Sequence, residues 1–142
     1  MGIESEPLKV YSKVKPTICL SVIHFGDRLS SRLNLAASDE IIQASIVPLT
    51  NGKTVLGHRH KSIERTTIGT HEAWVVMSGS IRADIFDIDD TFVNSWTLSV
   101  GAIVLYQNGG HGLTSLEFNT VIYEFKNGPY GGPDDDKIPV KH

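Results

Sequence analysis

The distribution of proline constrains this chain more than any other sequence feature. No proline lies between Leu49 and Gly128, although the flanking segments contain six. Proline removes a hydrogen bond from a β-ladder and is therefore rare in central strands. A long proline-free stretch that Gly, Asn, Asp and Ser divide into short apolar runs is typical of a β-sheet protein.

The apolar runs predict eight or nine short strands. They are Thr17–Phe25, Ile41–Leu49, Lys53–His60, Glu72–Ser78, Ser80–Asp87, Ser95–Ser99, Ala102–Tyr106, Gly112–Phe118 and Thr120–Lys126. Hairpin turns are predicted at Asn51-Gly52, Ser78-Gly79, Asp89-Asp90 and Val100-Gly101. Only Leu29–Ile42 has room for a helix. This spacing predicts an all-β sandwich or closed barrel in residues 17–127, with an N-terminal extension (1–16) and a C-terminal tail (128–142).

Composition narrows the function classes. Thirteen Lys and Arg against sixteen Asp and Glu give a net charge of −3 without a basic block, which argues against nucleic-acid binding. The longest apolar run, Ile18–Phe25, is too short to cross a bilayer, and the acidic first residues lack the pattern of a secretory signal. Cys19 is the only cysteine, so no intrachain disulfide is possible. We expect a cytoplasmic protein.

Period-2 alternation assigns the faces of two strands. In the strand predicted at 53–60, one face carries Thr54, Leu56, His58 and His60. In the strand predicted at 72–78, Glu72, Trp74 and Val76 share a face opposite Ala73, Val75 and Met77. Both faces of the second strand are apolar, so we expect a partner subunit to cover the outer one and the protein to be a homodimer.

Three segments carry residues suited to metal binding. They are Gly52–His60, which contains His58 and His60; Glu72–Gly79; and Gly101–His111. Two histidines two residues apart on a strand point to the same side and can hold one cation. The order of these residues resembles the two signature motifs of the cupin superfamily over about residues 41–127. Gln107 stands where the family has a proline, and the interval between His60 and Glu72 is longer than usual.

The resemblance implies a jelly-roll barrel, or double-stranded β-helix, that holds a divalent metal ion. The implied ligands are His58, His60, a carboxylate and His111. Glu72 has the family's spacing to Gly79, whereas Glu64 has its short spacing from His60, and both remain candidates for the carboxylate. Three imidazoles and one oxygen ligand suit a first-row ion such as Zn, Fe, Mn or Ni.

The substrate side of the site is predicted from neighbouring residues: Arg65, Trp74, Tyr106 and Lys126. Arg65 belongs to a polar loop, 61–71, that ends in a histidine expected to be exposed. The last strand alternates Tyr123 and Phe125 with Glu124 and Lys126. Alternation alone does not decide which of these two faces lines the cavity.

A small metal-binding cupin suggests three functions. The first is isomerase or epimerase chemistry on a small polar or carbohydrate-like substrate, supported by a loose similarity of the tail to cupins of surface-polysaccharide and sugar-nucleotide biosynthesis. The second is an Fe-dependent dioxygenase. The third is a non-catalytic cupin that binds a sugar or another small ligand. The sequence assigns no catalytic residue and no particular substrate.

Overall fold

The fold comes from a computed structural model of the chain, which describes residues 6–141. The acidic residues 1–5 at the start of the predicted extension and residue 142 at the end of the predicted tail lie outside the described residues. The strands are β1 (Leu8–Tyr11), β2 (Cys19–His24), β3 (Leu33–Asn34), β4 (Ser45–Ile46), β5 (Glu72–Ser78), β6 (Ser80–Phe86), β7 (Phe92–Ser99), β8 (Ile103–Tyr106), β9 (Gly110–Ser115) and β10 (Val121–Lys126). The helix α1 spans Pro133–Asp136. Within residues 6–141, no helix has the length and apolar character needed to cross a membrane.

The predicted all-β class is confirmed. A five-stranded antiparallel sheet has the order β1-β2-β8-β5-β10, a three-stranded sheet has the order β7-β6-β9, and β3 pairs with β4. Trp74 and Val76 of the larger sheet share one buried cluster with Ile81, Ile85 and Leu98 of the smaller sheet. The two sheets therefore face each other across a common core, and they do not close into a barrel within the described residues.

Glycine carries the chain from one sheet to the other. β5 ends at Ser78 and β6 begins at Ser80, so the crossing takes place at Gly79, whose φ of 70° belongs to the left-handed region. A Cβ at this position would lie 2.8 Å from the Thr120 backbone. Glycine is the residue that accepts both this conformation and this close approach.

Most of the predicted strands are confirmed, with small shifts at their ends. β5 has the predicted bounds, whereas β7 begins earlier than predicted, at Phe92, and β9 ends earlier, at Ser115. Two predictions are wrong: Lys53–His60 is not a strand, and Ile41–Leu49 is paired only at β4. Leu29–Ile42, the stretch with room for a helix, contains none. The 53–60 segment has alternation but pairs with no strand in the described chain, and pairing is what satisfies the backbone of a strand.

The outer face of β5 is covered differently from the prediction. Ala73 is 3% exposed and packs against side chains of the same chain between residues 33 and 46, including Leu35. Part of the outer apolar face of β5, from which we predicted a partner subunit, is therefore buried within one chain. Met77, at the far end of the same face, remains exposed. The homodimer stays a prediction.

The predicted N-terminal extension contributes to the sandwich. β1 pairs with β2 at the edge of the larger sheet. Beyond it, Ser12 Oγ donates a 2.5 Å hydrogen bond to Asp87 Oδ1, and the Lys13 N–H donates to Oδ2 at 2.7 Å. Asp87 is fully buried, and these bonds satisfy its carboxylate.

Candidate acid–base site

The register of three strands places polar residues in one row. Glu72 begins β5, and it pairs with Tyr106 at the end of β8 on one side and with Lys126 at the end of β10 on the other. Directly paired residues of an antiparallel sheet point to the same face. That face also carries Trp74, so the row points toward the smaller sheet, where His111 of β9 lies opposite.

A cavity of about 500 Å³ opens at this row. Its lining combines charged and aromatic side chains with a glycine-rich backbone: Thr70, Glu72, Trp74, Gly109, Gly110, His111, Gly112, Leu113, Glu124, Asp136, Lys137, Ile138 and Val140. The volume is within the range of small-molecule sites.

Glu72 is a buried carboxylate that stays ionised. It is 6% exposed, and its Oε1 accepts a hydrogen bond from Trp74 Nε1 at 2.5 Å, while its Oε2 lies 3.4 Å from His111 Nε2. Burial is the largest influence on the pKa of Glu72 and acts to raise it. The contacts with His111 and Trp74 together outweigh burial and lower this pKa to about 2. Glu72 therefore carries a negative charge at neutral pH.

Aromatic rings hold the imidazole of His111 in place. The His111 ring stacks on Tyr106 with a centroid distance of 4.0 Å and an interplanar angle of 14°, and Trp74 meets it edge-on at 5.3 Å. The side chain of His111 is 28% exposed, whereas that of Glu72 is 8% exposed. The imidazole thus faces the cavity, with the carboxylate behind it.

Tyr106 contributes an unused hydroxyl beside this pair. Burial raises the pKa of Tyr106, and the nearby Glu72 and Asp84 carboxylates raise it further, so the phenol is neutral. Its buried hydroxyl has no hydrogen-bond partner among the described residues. A buried polar atom of this kind requires a partner, and a bound ligand or a water molecule would supply one.

Glu124 on the polar face of β10 lines the cavity, and Lys126 of the same face lies beside it. Glu124 pairs with Trp74 and Lys126 pairs with Glu72, so both side chains point inward, whereas Tyr123 and Phe125 lie on the outer face. Lys126 Nζ lies 2.7 Å from Glu124 Oε1. This hydrogen bond is the main cause of the raised pKa of Lys126, so the ammonium group stays charged. Sequence alternation left open which face of β10 points inward, and the pairing with β5 shows that it is the face with Glu124 and Lys126.

The other predicted site residues lie elsewhere. His58, His60, Glu64 and Arg65 belong to residues 49–69, where every residue is exposed. The rings of His58 and His60 meet edge-on, with centroids 5.4 Å apart and an interplanar angle of 72°. Among the described residues, no group of three or more His, Cys, Asp or Glu side chains is arranged to hold a metal ion. One chain therefore brings together two of the four predicted ligands.

One further prediction about the polar loop is wrong. The histidine at its end, His71, is buried rather than exposed, and its Nδ1 lies 3.8 Å from Glu40 Oε2 on the outer side of the larger sheet. Burial lowers the pKa of His71, and Glu40 opposes this effect. His71 belongs to the face of β5 opposite Glu72, as the alternation of this strand requires.

Sequence reasoning missed the part of the site that the C-terminal tail supplies. Val140 packs against β9 so closely that a Cβ on Gly110 would lie 2.6 Å from Val140 Cγ2. A Cβ on Gly109 would lie 2.3 Å from the Phe86 carbonyl oxygen. The Gly109-Gly110 pair before His111 was the only local signal of this close packing. It does not indicate which segment packs there.

The chain was also compared with known protein families, with curated proteins and with solved structures. No match was found. The assignment of function therefore depends on the chemistry of the site.

Proposed function

We propose that this protein is a cupin-type enzyme that moves a proton on a small polar, carbohydrate-like substrate, as isomerases and epimerases do. The observation that carries the proposal is the ionised, buried Glu72 carboxylate 3.4 Å from the partly exposed His111 imidazole, at the wall of a cavity of about 500 Å³. An imidazole oriented by a buried carboxylate is a common device for general acid–base catalysis.

In this proposal His111 is the catalytic residue and Glu72 is a positioning residue. Because Nε2 of His111 faces Glu72, Nδ1 is the ring atom that exchanges a proton with the substrate. It accepts a proton from a carbon next to a substrate carbonyl, and Glu72 stabilises the resulting imidazolium. Returning that proton to the former carbonyl carbon, while the hydroxyl proton of the first carbon passes to the carbonyl oxygen, completes an isomerisation. In an epimerisation a solvent proton adds to the opposite face of the same carbon, and His111 releases its proton to solvent. One C–H bond breaks and one forms, without net oxidation.

Glu124 and Trp74 of the cavity wall, with Lys126 and Tyr106 next to it, suit a polyhydroxylated ligand. Lys126 offers a cation that can donate hydrogen bonds to a carbonyl or hydroxyl oxygen, and Glu124 beside it offers acceptor oxygens. The Tyr106 hydroxyl adds a group that is able to donate or accept. Trp74 supplies an apolar surface for the carbon skeleton. A few convergent polar groups around an aromatic wall are typical of small-molecule sites.

The divalent metal implied by the cupin resemblance needs separate treatment. Glu72 and His111 fit such an ion, but His58 and His60 of the same chain do not reach them in this structure. The donor set of one chain is therefore incomplete, and no step of the proposed reaction is routed through a metal.

Hydrogen exchange with solvent tests the proposal directly. The protein is incubated in D₂O with nucleotide-linked keto sugars and small keto acids, and deuterium incorporation is followed by NMR. We expect exchange by the wild type and a loss of about 100-fold or more in His111→Asn, since general acid–base catalysis contributes ~10²–10⁴-fold. Glu117→Gln, which changes an exposed carboxylate outside the cavity, is the control and should keep full exchange.

Other outcomes of this experiment point to the alternatives. Exchange that is unchanged in His111→Asn removes the proposed role of the imidazole. Saturable sugar binding without exchange or product supports a non-catalytic binding protein instead. Consumption of dioxygen with an Fe-loaded sample supports a dioxygenase.

A further inference from the structure

Residues 49–69, here called the arm, extend away from the rest of the chain. Every residue in the arm is exposed, and a Cβ added at Gly52 or Gly57 would meet no atom within 4 Å. The arm nevertheless carries five large apolar side chains: Leu49, Val55, Leu56, Ile63 and Ile68. Leu56 is 82% exposed and Ile68 is 91% exposed. Apolar side chains concentrated in one exposed segment indicate a surface that is buried in an assembly.

Both ends of the arm are held by the body of the chain. Before it, β4 pairs with β3, and Ser45 Oγ donates to Asn34 Oδ1 at 2.9 Å. After it, Asn127 Nδ2 donates to the Gly69 carbonyl at 3.1 Å, and the His71 N–H donates to Asn127 Oδ1 at 2.8 Å. The arm is thus a projection with two defined attachment points, rather than a loose terminus.

The body of the chain has two open sheet edges on one side. β10 ends the larger sheet and β9 ends the smaller one, and the short connection 116–120 joins these two strands. Leu113 of β9 pairs with Ala83, whose side chain is in the core, yet Leu113 is 44% exposed. An inward-facing leucine with this exposure shows that the sandwich is open beside Leu113, whereas Val140 of the tail packs against β9 at Gly110. An open strand edge is also a template for pairing with another strand.

We infer that two copies of the chain exchange their arms, so that segment 53–60 of each copy pairs with the free edge of β9 in the other. Leu56 of the partner subunit then covers the open side of the core near Leu113. Because alternate residues share a face, the same register turns His58 and His60 of the partner subunit toward His111. The exchange is reciprocal about a two-fold axis, which is the geometry of domain-swapped dimers.

This arrangement completes the incomplete site described above. Two imidazoles from the partner subunit would join Glu72 and His111, giving three nitrogen ligands and one carboxylate, a donor set that suits a first-row divalent ion. The inference thus concerns the cavity of the proposed function. Because an imidazole that ligates a metal ion cannot also accept a proton, the metal-bound state is distinct from the acid–base state, and the tests measure assembly and metal binding rather than turnover.

The first measurement is the oligomeric state by light scattering coupled to size exclusion. The wild type should be a dimer at micromolar concentration, and Leu56→Asp should be a monomer, because a carboxylate replaces the side chain that enters the partner. Val14→Asp places the same charge on an exposed apolar position outside the arm and should remain a dimer. A monomeric wild type overturns the inference.

Mixed dimers decide whether the histidines act across subunits. His111→Asn lacks one ligand, and the double variant His58→Ala/His60→Ala lacks the other two, so each alone should bind no Co²⁺ in the site. Unfolding and refolding the two variants together at equal concentration should restore about a quarter of the wild-type sites, since about half the dimers are mixed and each has one intact site. The absorption spectrum of bound Co²⁺ counts them. Failure to recover any site means that each arm serves its own chain.

If the wild type binds no Co²⁺, the metal site is refuted but the arm exchange is not. Chemical cross-linking then tests the arm exchange without a metal. Leu56→Cys and Leu113→Cys are combined in a Cys19→Ser background and treated with a short bis-maleimide. Arm exchange predicts covalent dimers, whereas an arm folded onto its own β9 predicts cross-linked monomers. A dimer with restored Co²⁺ sites but no solvent exchange would overturn the proposed function and leave the arm exchange supported.

Discussion

Replacing Glu72 with glutamine isolates the effect of one buried charge. The side chain keeps its shape, and its Oε1 can still accept the hydrogen bond from Trp74. The substitution removes the negative charge 3.4 Å from His111. Since the charge is the main property that changes, the pH dependence of stability should reveal its contribution.

The size of the effect follows from the pKa of Glu72. It falls from an ordinary value of 4.5 to about 2 in the folded protein. At ~1.4 kcal/mol for each pKa unit this difference corresponds to about 3 kcal/mol. Solvent in the adjoining cavity screens part of the interaction, so we expect about 2 kcal/mol.

The sign determines the pH window. A carboxylate whose pKa is lower in the folded state stabilises that state at pH values above its unfolded pKa, and the contribution disappears as the pH falls through the folded pKa. The unfolding free energy of the wild type should therefore exceed that of Glu72→Gln by about 2 kcal/mol at pH 5, which corresponds to about 7 °C in Tm. The difference should shrink towards zero as the pH falls below about 2.

Thermal and urea denaturation in the presence of a chelator, at equal protein concentrations, measure this difference. Glu117→Gln removes an exposed carboxylate and should follow the wild type at every pH. The reasoning is refuted if Glu72→Gln is equally destabilised at pH 5 and pH 2.5, because the lost contribution would then not be ionic. It is also refuted if the variant matches the wild type at pH 5.

Two further predictions concern the core and the sheet crossing. Gly79→Ala should destabilise the protein by about 2 kcal/mol, because a Cβ there meets Thr120 and the φ of 70° is unfavourable for alanine. Gly57→Ala is the control: a Cβ there lies in open space, so the unfolding free energy should change by less than about 0.5 kcal/mol. Leu98→Ala should destabilise the folded protein by about 3–4 kcal/mol, because Leu98 is fully buried in the core. Phe118→Ala is its control and should have little effect, because the Phe118 side chain is 97% exposed. Urea denaturation measures all four, and equal effects within either pair would contradict the assigned packing.

Local sequence patterns determined much of the sheet framework. β5 could be predicted to the residue because its apolar run is bounded by polar residues on one side and Gly79 on the other. The turns at Asp89-Asp90 and Val100-Gly101 were also predictable, since Asp90 and Gly101 adopt positive φ there, a conformation that glycine and, among other residues, aspartate and asparagine accept most readily. Glu72 and His111, both candidate site residues in the sequence, lie 3.4 Å apart.

Tertiary structure alone decided which faces met and which segments paired. A period-2 pattern divides β10 into two faces, but only its pairing with β5 shows that Glu124 and Lys126 lie on the inner face of the larger sheet. For the same reason the 53–60 segment has the alternation of a strand without being one, because it pairs with no strand edge within the described residues. Sequence alternation determined which residues of this protein can lie together, whereas the contacts between distant segments decided which of them do.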